Sequence, residues 1–350
     1  MTTRAVSVQK DGFFADPRED WLALHQEPII DPHRPIVDAH HHLWERAGRR
    51  YLIKDIAADL ATGHNVIATV YVEAHSMYRG SGPQEYRPVG EVEFANGVAA
   101  MSASGGYGSA AICAGIVGHV DLMLGGGARA VLEAEIAAGN GRYRGVRHLA
   151  AWDADPDIAG GLSKRSSGLL LGADFRKGFS YLGPLGLTFD AFLFQTQLAE
   201  LVELANAFPE TKIVLNHCGG PITIGRFAAK GDDAFAEWKT SILELARCSN
   251  VFVKLGGLAV RLLGSGFEDQ PVPPSSEDVA AAWRPYIETC IEAFGPERGM
   301  FESNFPPDKG QCSYQVLFNA FKRITAKYGD DEKTAMFSAT AAEFYGLEIG

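Results

Sequence analysis

Residues 36–44 read IVDAHHHLW, a short apolar run that opens on β-branched residues and ends in three consecutive histidines. Ile36 and Val37 favour a pleated, buried strand over a helix. Polar groups collected at the C-terminal end of such a strand sit where α/β barrels build their chemistry. The fold therefore turns on how often this unit recurs.

Seven more runs of the same kind follow, at 66–73 (VIATVYVE), 111–118 (AICAGIVG), 143–149 (YRGVRHL), 188–194 (TFDAFLF), 212–217 (KIVLNH), 250–256 (NVFVKLG) and 299–304 (GMFESN). Stretches of helical period fall after them at 55–62, 90–102, 126–138, 174–180, 197–207, 233–247, 277–294 and 313–327, with a last one near 331–344. Strands that are each followed by a helix predict an α/β chain closed as a (β/α)8 TIM barrel. A doubly wound open sheet is the competing arrangement, but its GxGxxG fingerprint is absent: Gly125-Gly126-Gly127 opens a helix without that spacing. Longer stretches after the second, fourth and seventh strands (HSMYRGSGPQEYRPVG, WDADPDIAGGLSKRSSGLLLG and LLGSGFEDQPVPPSS) are expected as loops around the barrel mouth.

The 350 residues suffice for one barrel over 36–350, preceded by an extension, 1–35, expected to pack on the barrel or on an oligomer partner. With 46% apolar and 21% charged residues, the composition is that of an ordinary globular protein. A net charge of −11 argues against nucleic acid and an anionic membrane surface as partners, since both call for basic patches. The N-terminal stretch lacks the apolar centre of a secretory signal and no later run has membrane-spanning length, so a cytoplasmic location is expected. Five cysteines, without a CxxC pair, are expected to be reduced core residues.

Side chains alternate along a strand, so His40 and His42 share a side and His41 takes the other. Two imidazoles at a strand end can chelate a divalent metal such as zinc or manganese, or jointly polarise a carbonyl. His217 closes the sixth run, leads into a glycine turn, and is expected at the same mouth as the third histidine of the set. Glu302 lies two residues before Asn304, on the same side of the eighth strand, and is the first candidate for a general base. Asp308, just past that strand, is the second, and Glu73, at the end of the second strand, the third. Arg147 and His148 at the end of the fourth strand, and Arg226 after the sixth, are candidates to grip a substrate or polarise its carbonyl. His75 and Ser76 follow the second strand and are candidates for substrate contact. Lys254 lies inside an apolar strand, where an ammonium needs a partner; pairing is its expected role.

The motifs VDAHHHLW, GVRHLAAWD, GLTFDAFLF, QLAELVELANAFPETKIVLNHCGGP, NVFVKLGGL and MFESNFPPDK, in this order over 35–347, resemble the amidohydrolase superfamily. Within it they are similar to the amidohydrolase-2 group, which includes 2-pyrone-4,6-dicarboxylate lactonase and the sugar-acid lactonases. The resemblance implies a distorted barrel with a His-x-His in strand one, a histidine after strand five, another after strand six and an aspartate after strand eight. It also implies a divalent ion in some members and none in others. His40, His42 and His217 match this pattern as catalytic or metal-binding residues. Gln195 stands where the strand-five histidine is expected and is carried over as a substrate-binding residue. Asn304 stands where the aspartate is expected; an amide cannot take a proton from water, so its expected catalytic role is to orient the water or the substrate.

The activity so implied is hydrolysis of a small lactone, or a related cyclic ester or amide, in a catabolic pathway. Its substrate would be a small carboxylate-bearing molecule, and a homo-oligomer is a common arrangement in the family. Two alternatives remain at this point: a decarboxylase or hydratase acting on an aromatic-degradation intermediate, and a barrel that binds a small molecule without turning it over.

Overall fold

Parallel strands covered on both faces read as near-continuous apolar runs, and the eight runs of this chain form such strands. In the computed structural model, which describes residues 14–46, 48–159 and 166–348, they are β1 (Ile36–His41), β2 (Val66–Val72), β3 (Ala111–Gly118), β4 (Tyr143–Arg147), β5 (Thr188–Ala191), β6 (Ile213–Leu215), β7 (Val251–Leu255) and β8 (Gly299–Phe301). Their order in the sheet follows the sequence, and each consecutive pair is parallel. One helix of each expected pair follows its strand: Ile53–Leu60, Val89–Ala103, Ala128–Gly139, Ala173–Phe179, Leu198–Ala207, Asp232–Leu245, Ser276–Phe294 and Tyr314–Ile324. The chain is a (β/α)8 barrel, as the repeat predicts.

Several strands end two or three residues before the spans read from the sequence, at Arg147, Ala191, Leu215 and Phe301. Beyond them Phe192 and His217 turn into the mouth, His148 packs on Phe175, and the Ser303 hydroxyl donates to the His40 carbonyl. The seam of the barrel is also irregular. Among the described residues β8 and β1 share no regular ladder. Instead His41 bridges Phe305, the Asn304 amide donates to the His40 carbonyl (2.9 Å), and the His42 amide donates to the Phe305 carbonyl (2.8 Å). A register shift between Asp38 and His41 accompanies this closure, which is the distortion of the barrel.

The helix Thr340–Tyr345 packs Phe344 and Tyr345 against Val37, Val70, Val117, Val214 and Met300 of the strands. Residues 14–35 lie against the barrel: Trp21 Nε1 donates to the Gln270 carbonyl (3.0 Å), and the Phe14 ring stacks on Trp44 at 5.7 Å. Residues 1–13 of the expected extension and 160–165 of the loop after β4 lie outside the described residues. The cysteines are free and buried, as expected. Among the described residues no helix is long and apolar enough to cross a membrane.

Candidate active site

Closing β1 onto residues 303–305 brings His40, His42 and Asn304 together at one end of the barrel. Alternation along β1 holds. His40 and His42 approach to 3.1 Å between their Nε2 atoms, whereas His41 turns away and places Nε2 2.8 Å from Thr69 Oγ1. His42 Nδ1 lies 2.8 Å from the Val72 carbonyl oxygen. A carbonyl only accepts, so Nδ1 carries the hydrogen and Nε2 the lone pair. Burial, and after it the charge of Lys254, hold His40 well below the ordinary imidazole pKa; burial and then Arg147 do the same to His42. Both rings are neutral.

Glu302 lies beneath these rings and is fully buried, so the carboxylate expected as a base in contact with substrate is a brace instead. Its Oε1 accepts from the His217 amide (3.0 Å) and from His217 Nδ1 (2.8 Å). Oε2 lies 2.8 Å from His40 Nδ1, although without the alignment of a hydrogen bond. One carboxylate thus spans two imidazoles. The turn after β6 presents His217 at a left-handed φ of 55°, followed by Cys218 at 50°. Room for it comes from the two glycines of KLGGL: a Cβ at Gly257 would overlap the His217 ring, and one at Gly256 would meet the Glu302 carbonyl oxygen at 2.5 Å.

A second charged layer supports the first. Lys254 Nζ is 2.6 Å from Asp190 Oδ2 and 3.3 Å from His40 Nδ1. The Tyr345 hydroxyl donates to Asp190 Oδ1 (2.9 Å), and Asn216 Nδ2 donates to Asp190 Oδ2 (3.1 Å). Lys254 therefore has the partner its burial demands.

Above the histidines opens a cavity of about 200 Å³, whose lining includes His42, His217, Asn304, Arg147, Glu73 and His75. Arg46, Phe14, Trp44, Leu149 and Phe192 complete much of its wall. Arg147 Nε donates to Glu73 Oε1 (2.7 Å), and its Nη1 points at His40 Nε2 (3.3 Å). Burial alone would raise the pKa of Glu73, but the Arg147 guanidinium, with His75 and His119, outweighs it and holds the carboxyl well below its usual range. Glu73 is thus an ionised partner of Arg147, not a base. Asn304 Nδ2 donates to Asp308 Oδ1 (2.7 Å), which leaves the amide oxygen as its acceptor. Asp308 lies behind that amide rather than in the cavity, and burial pushes its pKa well up.

The loop after β2 is held by Glu91. One oxygen of this carboxyl, Oε1, accepts from Ala74 N (2.8 Å), Ser76 N (3.0 Å) and Tyr71 OH (2.9 Å). The loop needs such a hold, because His75 and Met77 stand at left-handed φ values of 53° and 55°. Burial, and next the charge of Glu73, push the Glu91 carboxyl up to about 8.

Four residues expected at the substrate lie elsewhere. Ser76 is buried in the loop that Glu91 holds. His148 Nδ1 accepts from Leu122 N (3.2 Å), and its ring packs on Phe175. Gln195 Oε1 accepts from Ile222 N (2.8 Å), bracing the turn after β6. Arg226 pairs with Asp153, with Nη2 2.7 Å from Oδ2, outside the cavity. Asp190, Tyr345, Glu91, Arg46 and His119 were not expected from the sequence. Of these only Asp190 carries a local signal, a carboxylate inside the apolar run TFDAFLF.

The donor chemistry fits a divalent cation. His40, His217 and Glu302 offer ligand atoms within 4.8 Å of one another, and His42 Nε2 faces His40 Nε2. Metal-bound imidazoles commonly give their other N–H to a carboxylate or a carbonyl, which is how His217 and His42 are held.

A family model described as Amidohydrolase matches residues 37–347. The uncharacterized protein y4mH of Sinorhizobium fredii is 30% identical over 340 residues, which span 89% of this chain and 98% of that protein. An L-fucono-1,5-lactonase of Burkholderia multivorans is 28% identical over 180 residues, half of this chain (50%) and 56% of the lactonase. Among solved structures, an amidohydrolase from Burkholderia multivorans with bound zinc superposes with a TM-score of 0.68 at 23% identity, covering 89% of this chain and 99% of that one.

Proposed function

Since the chain belongs to the amidohydrolase family and is a hydrolase, we propose that it opens a small lactone by attack of water on the ring carbonyl. The observation that carries this reading is His217, which lines the cavity and is held from beneath by the Glu302 carboxylate. Oε1 of Glu302 accepts from His217 Nδ1 (2.8 Å), so the lone pair is on Nε2. A carboxylate holding one imidazole nitrogen so that the other can take a proton is the arrangement of a general base.

His217 Nε2 takes the proton of the attacking water, and Asn304, through its amide oxygen, orients that water. Arg147 faces the carbonyl oxygen as negative charge develops there. Collapse of the tetrahedral adduct breaks the ring C–O bond, and His217 returns its proton to the departing alkoxide. The products are a carboxylate and a hydroxyl on one open chain. A divalent ion such as zinc or manganese, held by the paired Nε2 atoms of His40 and His42, would supply Lewis-acid polarisation of the same carbonyl. Arg147 and Arg46 suit a substrate that carries a carboxylate or several hydroxyls, and the volume of about 200 Å³ suits a single small ring. The lactonase name of the Burkholderia relative agrees with this class.

The test is proton release from a panel of sugar-acid 1,4- and 1,5-lactones, read with a pH indicator. At least one lactone should be opened, and His217→Asn should abolish the reaction while the protein stays folded. Carbon dioxide release from a ring carboxylate, with every lactone untouched, would replace hydrolysis by decarboxylation.

A further inference from the structure

Glu73, His75 and His119 form a second group beside the mouth, apart from His40, His42 and His217. Their ligand atoms lie within 4.8 Å of one another, and the His75 and His119 rings approach to 5.0 Å between centroids. We propose that this group is a binding site for a zinc-class divalent cation, set in the wall between the central cavity and its neighbour.

Three features of the local structure carry the proposal. First, His119 Nδ1 lies 3.1 Å from the Arg147 carbonyl oxygen. That contact requires the hydrogen on Nδ1 and leaves the lone pair on Nε2, the backbone-anchored tautomer typical of a metal-bound histidine. Second, Glu73 is anchored at both oxygens: Arg147 Nε donates to Oε1 (2.7 Å), and the His75 amide donates to Oε2 (3.2 Å), which lies 3.5 Å from His75 Nδ1 and keeps a further lone pair. Third, His75 is presented by the left-handed turn that Glu91 holds, and the Tyr78 hydroxyl lies 2.8 Å from its Nδ1. Two imidazoles and one carboxylate are a recurrent zinc donor set, with a position open for water or substrate.

Placement sets this site apart. Glu73 and His75 line the central cavity, and His75 and His119 line a second one of about 460 Å³. A cation here would tie the ends of β2 and β3 together and add positive charge beside Arg147. The inference does not depend on the lactonase reading, because it concerns occupancy and not turnover.

Zinc itself is the probe. The full-length protein is stripped with chelator, equilibrated with zinc by dialysis, and assayed for zinc per chain and for affinity by calorimetry. His75→Ala, His119→Ala and a His40→Ala/His42→Ala double variant are treated identically. The expected result is one equivalent that survives in the double variant and is bound at least about tenfold more weakly in His75→Ala and His119→Ala. His75 is 40% exposed, so its variant should fold even if His119→Ala does not. Cobalt loaded into the double variant should give visible d–d bands that His75→Ala, built into it, removes. Equal stoichiometry and affinity in wild type and His75→Ala would overturn the proposal, as would the absence of zinc from the double variant.

Discussion

Replacing Glu302 by glutamine tests the brace beneath the histidines without emptying its volume. The carboxylate serves His217 through Oε1, with contacts of 3.0 Å to the amide and 2.8 Å to Nδ1, and it lies 2.8 Å from His40 Nδ1 through Oε2. A glutamine keeps one carbonyl oxygen, which can still serve His217. It does so without charge, so the hydrogen that His217 Nδ1 gives it no longer meets a carboxylate, and Nε2 becomes a weaker acceptor for the proton of water. A hydrogen bond to a charged group is worth about 1.5–3 kcal/mol against about 0.5–1.5 kcal/mol for a neutral one, and His217 makes two such bonds to Glu302, so the exchange costs about 1.5–3 kcal/mol. At about 1.4 kcal/mol per decade this is roughly a 10- to 150-fold effect. Changing a partner that holds a metal-type histidine costs in a similar range, about 10- to 100-fold. We expect Glu302→Gln to fold and to lose kcat/KM by about that factor on the substrate that the wild type turns over. Wild-type turnover in the folded variant would refute the brace.

Gly257→Ala drives a Cβ into the His217 ring and should lower kcat/KM by about 100-fold or more, since displacements of about 1 Å can cost that much; turnover at the wild-type rate would contradict the packing described. Lys254→Met leaves Asp190 buried without its cation and should cost about 3–5 kcal/mol in urea unfolding, and adding Asp190→Asn should restore much of that loss. Glu91 keeps its proton up to about pH 8 in the folded chain but loses it near 4.5 when unfolded. The folded state therefore binds the extra proton between those values, so this group's contribution to stability falls as pH rises across that window, by up to about 1.4 kcal/mol per unit. Glu91→Gln should flatten the decline of melting temperature between pH 5 and 8, and an unaltered slope would remove Glu91 as its source.

Much of the barrel was legible because fully buried parallel strands write themselves as apolar runs, and the His40/His42 pairing because strand alternation is a period of two. Roles that depend on depth were not legible. Glu302 and Asp308 looked like bases on the strand-end pattern, yet both lie under the cavity floor, since strand spacing tells the side but not the layer. Gln195 follows β5 and Arg226 the turn after β6, but each pairs away from the cavity, with Ile222 N and Asp153, through loop conformations no local pattern encodes. Lys254 announced a need for a counter-charge without saying where it was, because Asp190 lies 64 positions away. Glu91 reads as an ordinary helix residue, and its three contacts exist only because a left-handed loop folds over it.

The Tyr345 hydroxyl reaching Asp190 also bears on how the enzyme is made. A chain emerging from the ribosome exposes His40, His42, His217 and Glu302 well before residue 345, and until then the Asp190–Lys254 pair beneath them lacks its third partner. Activity should therefore switch on late in synthesis, and prematurely terminated products should be inert rather than weakly active, even when every residue that touches the cavity has already been translated.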